Sequence, residues 1–157
     1  MSVPNPIILF NNHFEMHRRS YSYATKFAIA EDLGYDGFEF HPIEPDDDAT
    51  WAAAGEAVAA SSMKHYGMYV VSKGINDDES GIVVQELHRV EKMVDRLAVI
   101  APGAFVNYSI SSCPPGTSAE FHESGSVNAE PRHWERAASM VREVDRMISD
   151  RGLQGNL

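Results

Sequence analysis

Glu39 and His41 stand two residues apart in the run Gly37-Phe38-Glu39-Phe40-His41, and side chains two apart along a strand share a face. The same alternation sends Phe38 and Phe40 to the opposite face, where they suit a layer of helices. A carboxylate beside an imidazole can hold hydroxyl groups or move protons. A carboxylate aimed into a core is costly unless it is paired or wet. The pair is therefore read as a site wall, with a structural ion pair or hydrogen-bonded histidine as the alternative. His13 follows another apolar run in Phe10-Asn11-Asn12-His13-Phe14, and Asn107 shares a face with Phe105 and Ser109 in Phe105-Val106-Asn107-Tyr108-Ser109. His13, Glu39, His41 and Asn107 are the candidate pocket residues. Lys73 is read as a solvated lysine, and His17, His65, His88, His122 and His133 as surface residues.

Elements must place these side chains, and glycine punctuates them. Leu33-Gly34, Tyr66-Gly67, Pro102-Gly103 and Arg151-Gly152 each separate an amphipathic stretch from an apolar one. Glycine takes the left-handed conformation at no steric cost, which suits it to the position just past a helix end. The expected order is a leading strand at Pro6–Phe10 and then helix and strand in alternation, the fifth strand starting at Leu153. Val83, Leu87, Val90, Val94 and Leu97 step by four and three and predict a third helix. Trp134, Ala137, Val141, Val144 and Ile148 predict a fourth, with Pro131 in its first turn, where no amide donor is needed. The first helix is expected over about 22–33, with Tyr23, Phe27 and Ala30 inward. The second is expected over roughly 49–65, packing through Trp51 and Val58. Asp46-Asp47-Asp48 ahead of it is read as capping and not as a cation site. Residues 111–130, carrying Pro114-Pro115-Gly116, form a long loop, read as an active-site flap or an insertion without a role.

Strands separated by single helices pair in parallel through right-handed crossovers. An open doubly wound sheet and an eight-unit barrel both use this alternation. Four units in 157 residues project to about twice that length for eight, within the range of barrels, for which about 250 is typical. The fold class read from the sequence is α/β: parallel (β/α) units forming the N-terminal half of a TIM (β/α)8 barrel, stopping at the start of the fifth strand. Residues 1–157 are one partial (β/α)4 domain. No three or four His, Cys, Asp or Glu residues converge in this topology, so no metal site is expected within the chain. The open edges of a half-barrel predict self-association.

Thirteen Lys and Arg against 23 Asp and Glu give a formal charge of −10, unsuited to gripping nucleic acid or an anionic membrane. Cys113 is the single cysteine, so neither a disulfide framework nor a cysteine zinc cluster is expected. The N-terminus has no secretory pattern and no apolar run reaches about 18 residues; the expected location is the cytoplasm. The phosphate-binding P-loop, the Gly-x-Ser-x-Gly elbow and the Gly-x-Gly-x-x-Gly turn are all missing.

Ala30-Glu31-Asp32-Leu33-Gly34-Tyr35 followed by Asp36-Gly37-Phe38-Glu39-Phe40 resembles the A-x-x-G-[YF]-D-G-[FIV]-E lead-in to the second strand of xylose isomerase-like TIM barrels. These are sugar phosphate isomerases and epimerases, with hydroxypyruvate isomerases, inosose dehydratases and endonuclease IV-type enzymes among their relatives. The resemblance implies a parent enzyme that shuttles a proton next to a sugar carbonyl through an enediolate. It also implies a divalent metal (Mn, Mg, Co or Zn) held at the ends of the fifth to eighth strands, beyond this chain. The implied substrate is a small sugar or sugar phosphate, lined here by His13, Glu39, His41 and Asn107, none of them the acid or base. The chain alone is expected to be inactive and to bind no metal. Two alternatives stay open: a metal-dependent hydrolase or lyase on the same barrel, endonuclease IV-like or inosose dehydratase-like, and a non-catalytic half-barrel that pairs with a partner chain.

Overall fold

Short apolar strands and amphipathic helices alternate as the pattern requires. In the computed structural model, residues 5–15, 21–72, 80–110 and 129–156 are described, without the side chains of His13 and Glu15. The strands are β1 (Ile8–Phe10), β2 (Gly37–Phe40), β3 (His65–Ser72), β4 (Phe105–Ile110) and β5 (Gln154–Asn156). The helices are α1 (Asn12–Glu15), α2 (Tyr23–Asp32), α3 (Asp48–Ala60), α4 (Ser80–Ile100) and α5 (Pro131–Asp150). All neighbouring strands pair in parallel, in the order β1-β2-β3-β4-β5. Sequential order with right-handed crossovers puts every helix on one side of the sheet. A doubly wound sheet reverses its strand order at a switch point; this sheet does not, and barrels are built this way.

The two sheet faces differ sharply. Leu9, Phe38, Phe40, Met68, Val70, Val106 and Tyr108 are buried under the helices. There they meet Phe27 and Ala30 of α2, Trp51, Ala54 and Ala57 of α3, and the Val90, Met93, Val94 and Leu97 stripe of α4. Phe38 and Phe40 lie with their ring centroids 4.6 and 5.9 Å from Phe27. The other face, carrying Phe10, Glu39, Tyr69, Phe105, Asn107 and Ser109, is half-buried.

Local chemistry sets the boundaries. Ser22 caps α2 by accepting the Thr25 N–H, and Gly34 follows its end with φ +80°. Asp47 caps α3, accepting from the backbone and hydroxyl of Thr50, while Asp46 and Asp48 pair with Lys92 and Arg96 of α4. The acidic run thus caps one helix and ties it to another.

Three expectations need correction. The second helix stops at Ala60, because Glu31 Oε1 gathers the Ser61 hydroxyl and the amide and hydroxyl of Ser62, drawing the chain into an extended turn. β3 then begins at His65, so Gly67 is a strand residue; positive φ occurs at Gly34, Gly103 and Gly152. The inner stripe of α5 starts at His133, which is buried and accepts the Glu130 N–H on Nδ1, while Trp134 is 56% exposed. His133 is therefore part of a capping box and not a surface residue. Lys73, His17, Cys113, His122 and most of the 111–130 loop lie outside the described residues.

Candidate functional site

The face away from the helices holds a polar ladder. Asn107 of β4 donates its Nδ2 to Glu39 Oε1 of β2 at 2.6 Å, and Asn156 of β5 donates its Nδ2 to Asn107 Oδ1. Glu39 and Asn107 belong to strands that are not neighbours. Parallel strands lie about 4.8 Å apart, so the two side chains must span about twice that, across β3. They can do so because the β3 residue in register with Glu39 is Gly67, which carries no side chain. The Phe105 ring occupies the same gap: a Cβ built on Gly67 would lie 2.2 Å from it. Glycine is required here by close approach, not by backbone conformation.

Aromatic groups flank the ladder. The Phe10 ring meets Tyr69 edge-on at 5.8 Å and lies nearly parallel to His41 at 6.3 Å. Tyr69 and Ser109 share a hydroxyl–hydroxyl bond of 2.9 Å. Burial raises the Glu39 carboxyl above its ordinary 4.5, and the Asn107 amide works against that rise by stabilising the charged form. The arrangement can accept hydroxyl donors at a partly dehydrated carboxylate, beside rings that suit the apolar edge of a small molecule.

Of the residues singled out in the sequence, the structure joins Glu39 and Asn107 directly and sets His41 on the same face, exposed, against Phe10. His13 lies on α1, just past β1, and its side chain is outside the described residues. Asn156, Tyr69, Gly67 and Phe105 join the site without having been singled out. Tyr69 and Asn156 stand in register with Asn107, and the period-two rule could have found both.

A divalent cation needs several converging oxygen or nitrogen ligands. Among the described residues no group of three or more His, Cys, Asp or Glu could hold a metal ion, and the described strand residues of this face contribute the single carboxylate of Glu39. The described residues do not fit the metal that the sequence resemblance implies. Among them, no helix is long and apolar enough to cross a membrane.

No family model matches the sequence and no curated protein matches it. A solved structure of L-ribulose 3-epimerase matches over 97% of this chain with a TM-score of 0.67 and 12% sequence identity. The match covers 48% of the epimerase chain. The fold is therefore α/β, five parallel strands alternating with helices that match about half of a TIM-barrel epimerase, and the chain spans about half the length of that enzyme.

Proposed function

We propose that the chain forms the N-terminal half of a barrel that isomerises or epimerises a small sugar or sugar phosphate by moving a proton next to its carbonyl. The observation that carries this reading is the Asn156–Asn107–Glu39 ladder, on the helix-free face of a sheet that matches half of a sugar epimerase. In such chemistry a base removes a proton from the carbon beside the carbonyl, and an acid returns it to the other face or the neighbouring carbon. Glu39 and Asn107 hold and orient hydroxyl groups in this scheme, with His41 and His13 at the rim; none of the four is given the proton transfer. The described residues supply no ligand set for the implied cation, so no step is assigned to it.

Incubating the complete barrel, this chain joined to its complementary half, with a panel of ketoses and ketose phosphates in D2O, with manganese added, tests the reading by proton NMR; the chain alone is expected to give no exchange. Deuterium is expected to enter at the carbon next to the carbonyl of at least one sugar. Asn107→Ala is expected to raise KM roughly tenfold, the weight of one hydrogen bond to a charged group. No exchange into any sugar, or loss of phosphate or water without exchange, contradicts it.

A further inference from the structure

We infer that Asn156 is a positioning residue: acting through Asn107, it keeps Glu39 an ionised acceptor, so the charge state of the site depends on the docking of the edge strand β5. The inference rests on the reading of this face as the site and adds how that site is held, and its test needs no ligand. The ladder has a polarity. A carboxylate only accepts hydrogen bonds, whereas an amide donates from its nitrogen and accepts at its oxygen. Ionised Glu39 therefore fixes the Asn107 side chain with Nδ2 towards itself. Oδ1 must then face β5, where Asn156 Nδ2 donates to it. The same logic runs in reverse. An acceptor at the β5 position would draw the Asn107 Nδ2 that way and turn Oδ1 towards Glu39, and two acceptors meet only when the carboxyl takes up a proton. Burial pushes the Glu39 carboxyl up and the Asn107 amide opposes it, so a wrongly turned amide leaves desolvation unopposed.

β5 is anchored at its start. Leu153 is buried, and Gln154 gives its backbone N–H to the Ala104 carbonyl at 2.9 Å and its Nε2 to the Gly103 carbonyl at 3.2 Å. Asn156, in register with Asn107, lies exposed at the other end of this three-residue strand, on the edge of the described sheet. That end is the part a complementary half-barrel paired with β5 would hold in place. The other titratable groups that the described strands put on this face are His41 on β2 and His65 and Tyr69 on β3. His41 lies against Phe10, His65 stands at the start of its strand in register with Gly37, and Tyr69 shares its hydroxyl with Ser109. The described residues of β1, β4 and β5 add no charged group to it.

Carbon-detected NMR of the Glu39 side-chain carboxyl, titrated in the full chain from about pH 3 to pH 7, tests the inference. Three variants at the exposed end of β5 leave its anchors untouched: Asn156→Gln keeps the donor, Asn156→Leu keeps the shape without it, and Asn156→Asp replaces it with an acceptor. Asn156→Gln is expected to titrate close to the native chain. Asn156→Leu should raise the proton affinity of Glu39 about threefold and Asn156→Asp about tenfold, with the Asn107 side-chain amide resonances moving in both. Repeating the series in a His41→Gln background keeps the charge change of that histidine out of the comparison. Glu39 titrating alike in the native chain and Asn156→Leu overturns the inference, and a shift confined to Asn156→Asp is then simple charge repulsion. A shift in Asn156→Gln as large as in Asn156→Leu overturns it too, by reducing the effect to strand packing. Either result leaves the barrel reading standing, whereas failure of deuterium exchange in the complete barrel contradicts that reading without touching the role of Asn156.

Discussion

Glu39 is the residue on which the site turns, and its burial has a thermodynamic sign. The native carboxyl sits above its ordinary 4.5 because desolvation outweighs the Asn107 amide, so the folded state holds this proton more tightly than the unfolded chain. Stability therefore falls as pH rises through the interval between the two values, and the cost persists at neutral pH. Glu39→Gln keeps an acceptor for Asn107 and removes the charge. It should raise Tm by about 1–3 °C at pH 7, with the gain vanishing below about pH 4. Melting curves of both proteins across that range check this, and a variant no more stable than the native chain at pH 7 would show that the carboxylate is compensated. A second prediction concerns the two close-packed glycines. A Cβ on Gly67 meets the movable Phe105 ring, whereas one on Gly37 meets the His65 backbone carbonyl at 2.1 Å. Gly67→Ala should cost about 1–3 kcal/mol and be partly rescued by Phe105→Leu; Gly37→Ala should cost more, without rescue. Denaturant unfolding of the single variants and of each glycine variant combined with Phe105→Leu measures both. The shared face of Glu39, His41 and Asn107 was legible because strand alternation has a strict period of two. Gly67 was not, because glycine serves both left-handed backbone and close approach, and the sequence Tyr66-Gly67 does not say which.

At the scale of elements, Arg89 ties α4 to the sheet and to the segment after β2. Its guanidinium reaches the Val71 carbonyl, both carboxylate oxygens of Glu86 and the carboxylate of Glu44. Planar geometry with several fixed donors makes this possible; a lysine ammonium cannot span the same acceptors. Arg89→Ala should destabilise the fold by about 1–2 kcal/mol, discounted for partial exposure, and Arg89→Lys should recover less than half of that. Urea unfolding gives both values, and full recovery by lysine would reduce the clamp to a simple charge effect. The helices were read well where an apolar stripe is long: α4 buries Val90, Val94 and Leu97 as its spacing requires. α2 was placed within a residue at each end because Ser22 and Gly34 mark its limits. Alanine-rich α3 carries no such contrast, and its end is decided by Glu31 from another helix, a tertiary contact that local pattern does not contain. His133 was misread for a similar reason: its apolar burial is coupled to a cap on Glu130.

The whole molecule follows from the sequential sheet. Order β1-β2-β3-β4-β5 with parallel pairing leaves β1 and β5 at the two edges of the described sheet, and unpaired edges template association. Light scattering coupled to size exclusion should find the purified chain above the mass of one copy, increasingly so with concentration; a monomer at every concentration would show the edges to be protected. The partial barrel was legible from the alternation of glycine, strand and stripe, reinforced by the Ala30–Phe40 lead-in. The ladder as a unit was not, because it joins β2, β4 and β5 through a gap on β3 that appears only once the register is known. The most direct test of the proposed sugar site on this face is nitrogen–proton NMR of the side-chain amides of Asn107 and Asn156 in the full chain. A free ketose added in millimolar amounts should shift both amide pairs, and Glu39→Gln should abolish the shifts. Amides that stay still while the sugar perturbs residues elsewhere, or that respond equally in the variant, would contradict the assignment of this face as the sugar site.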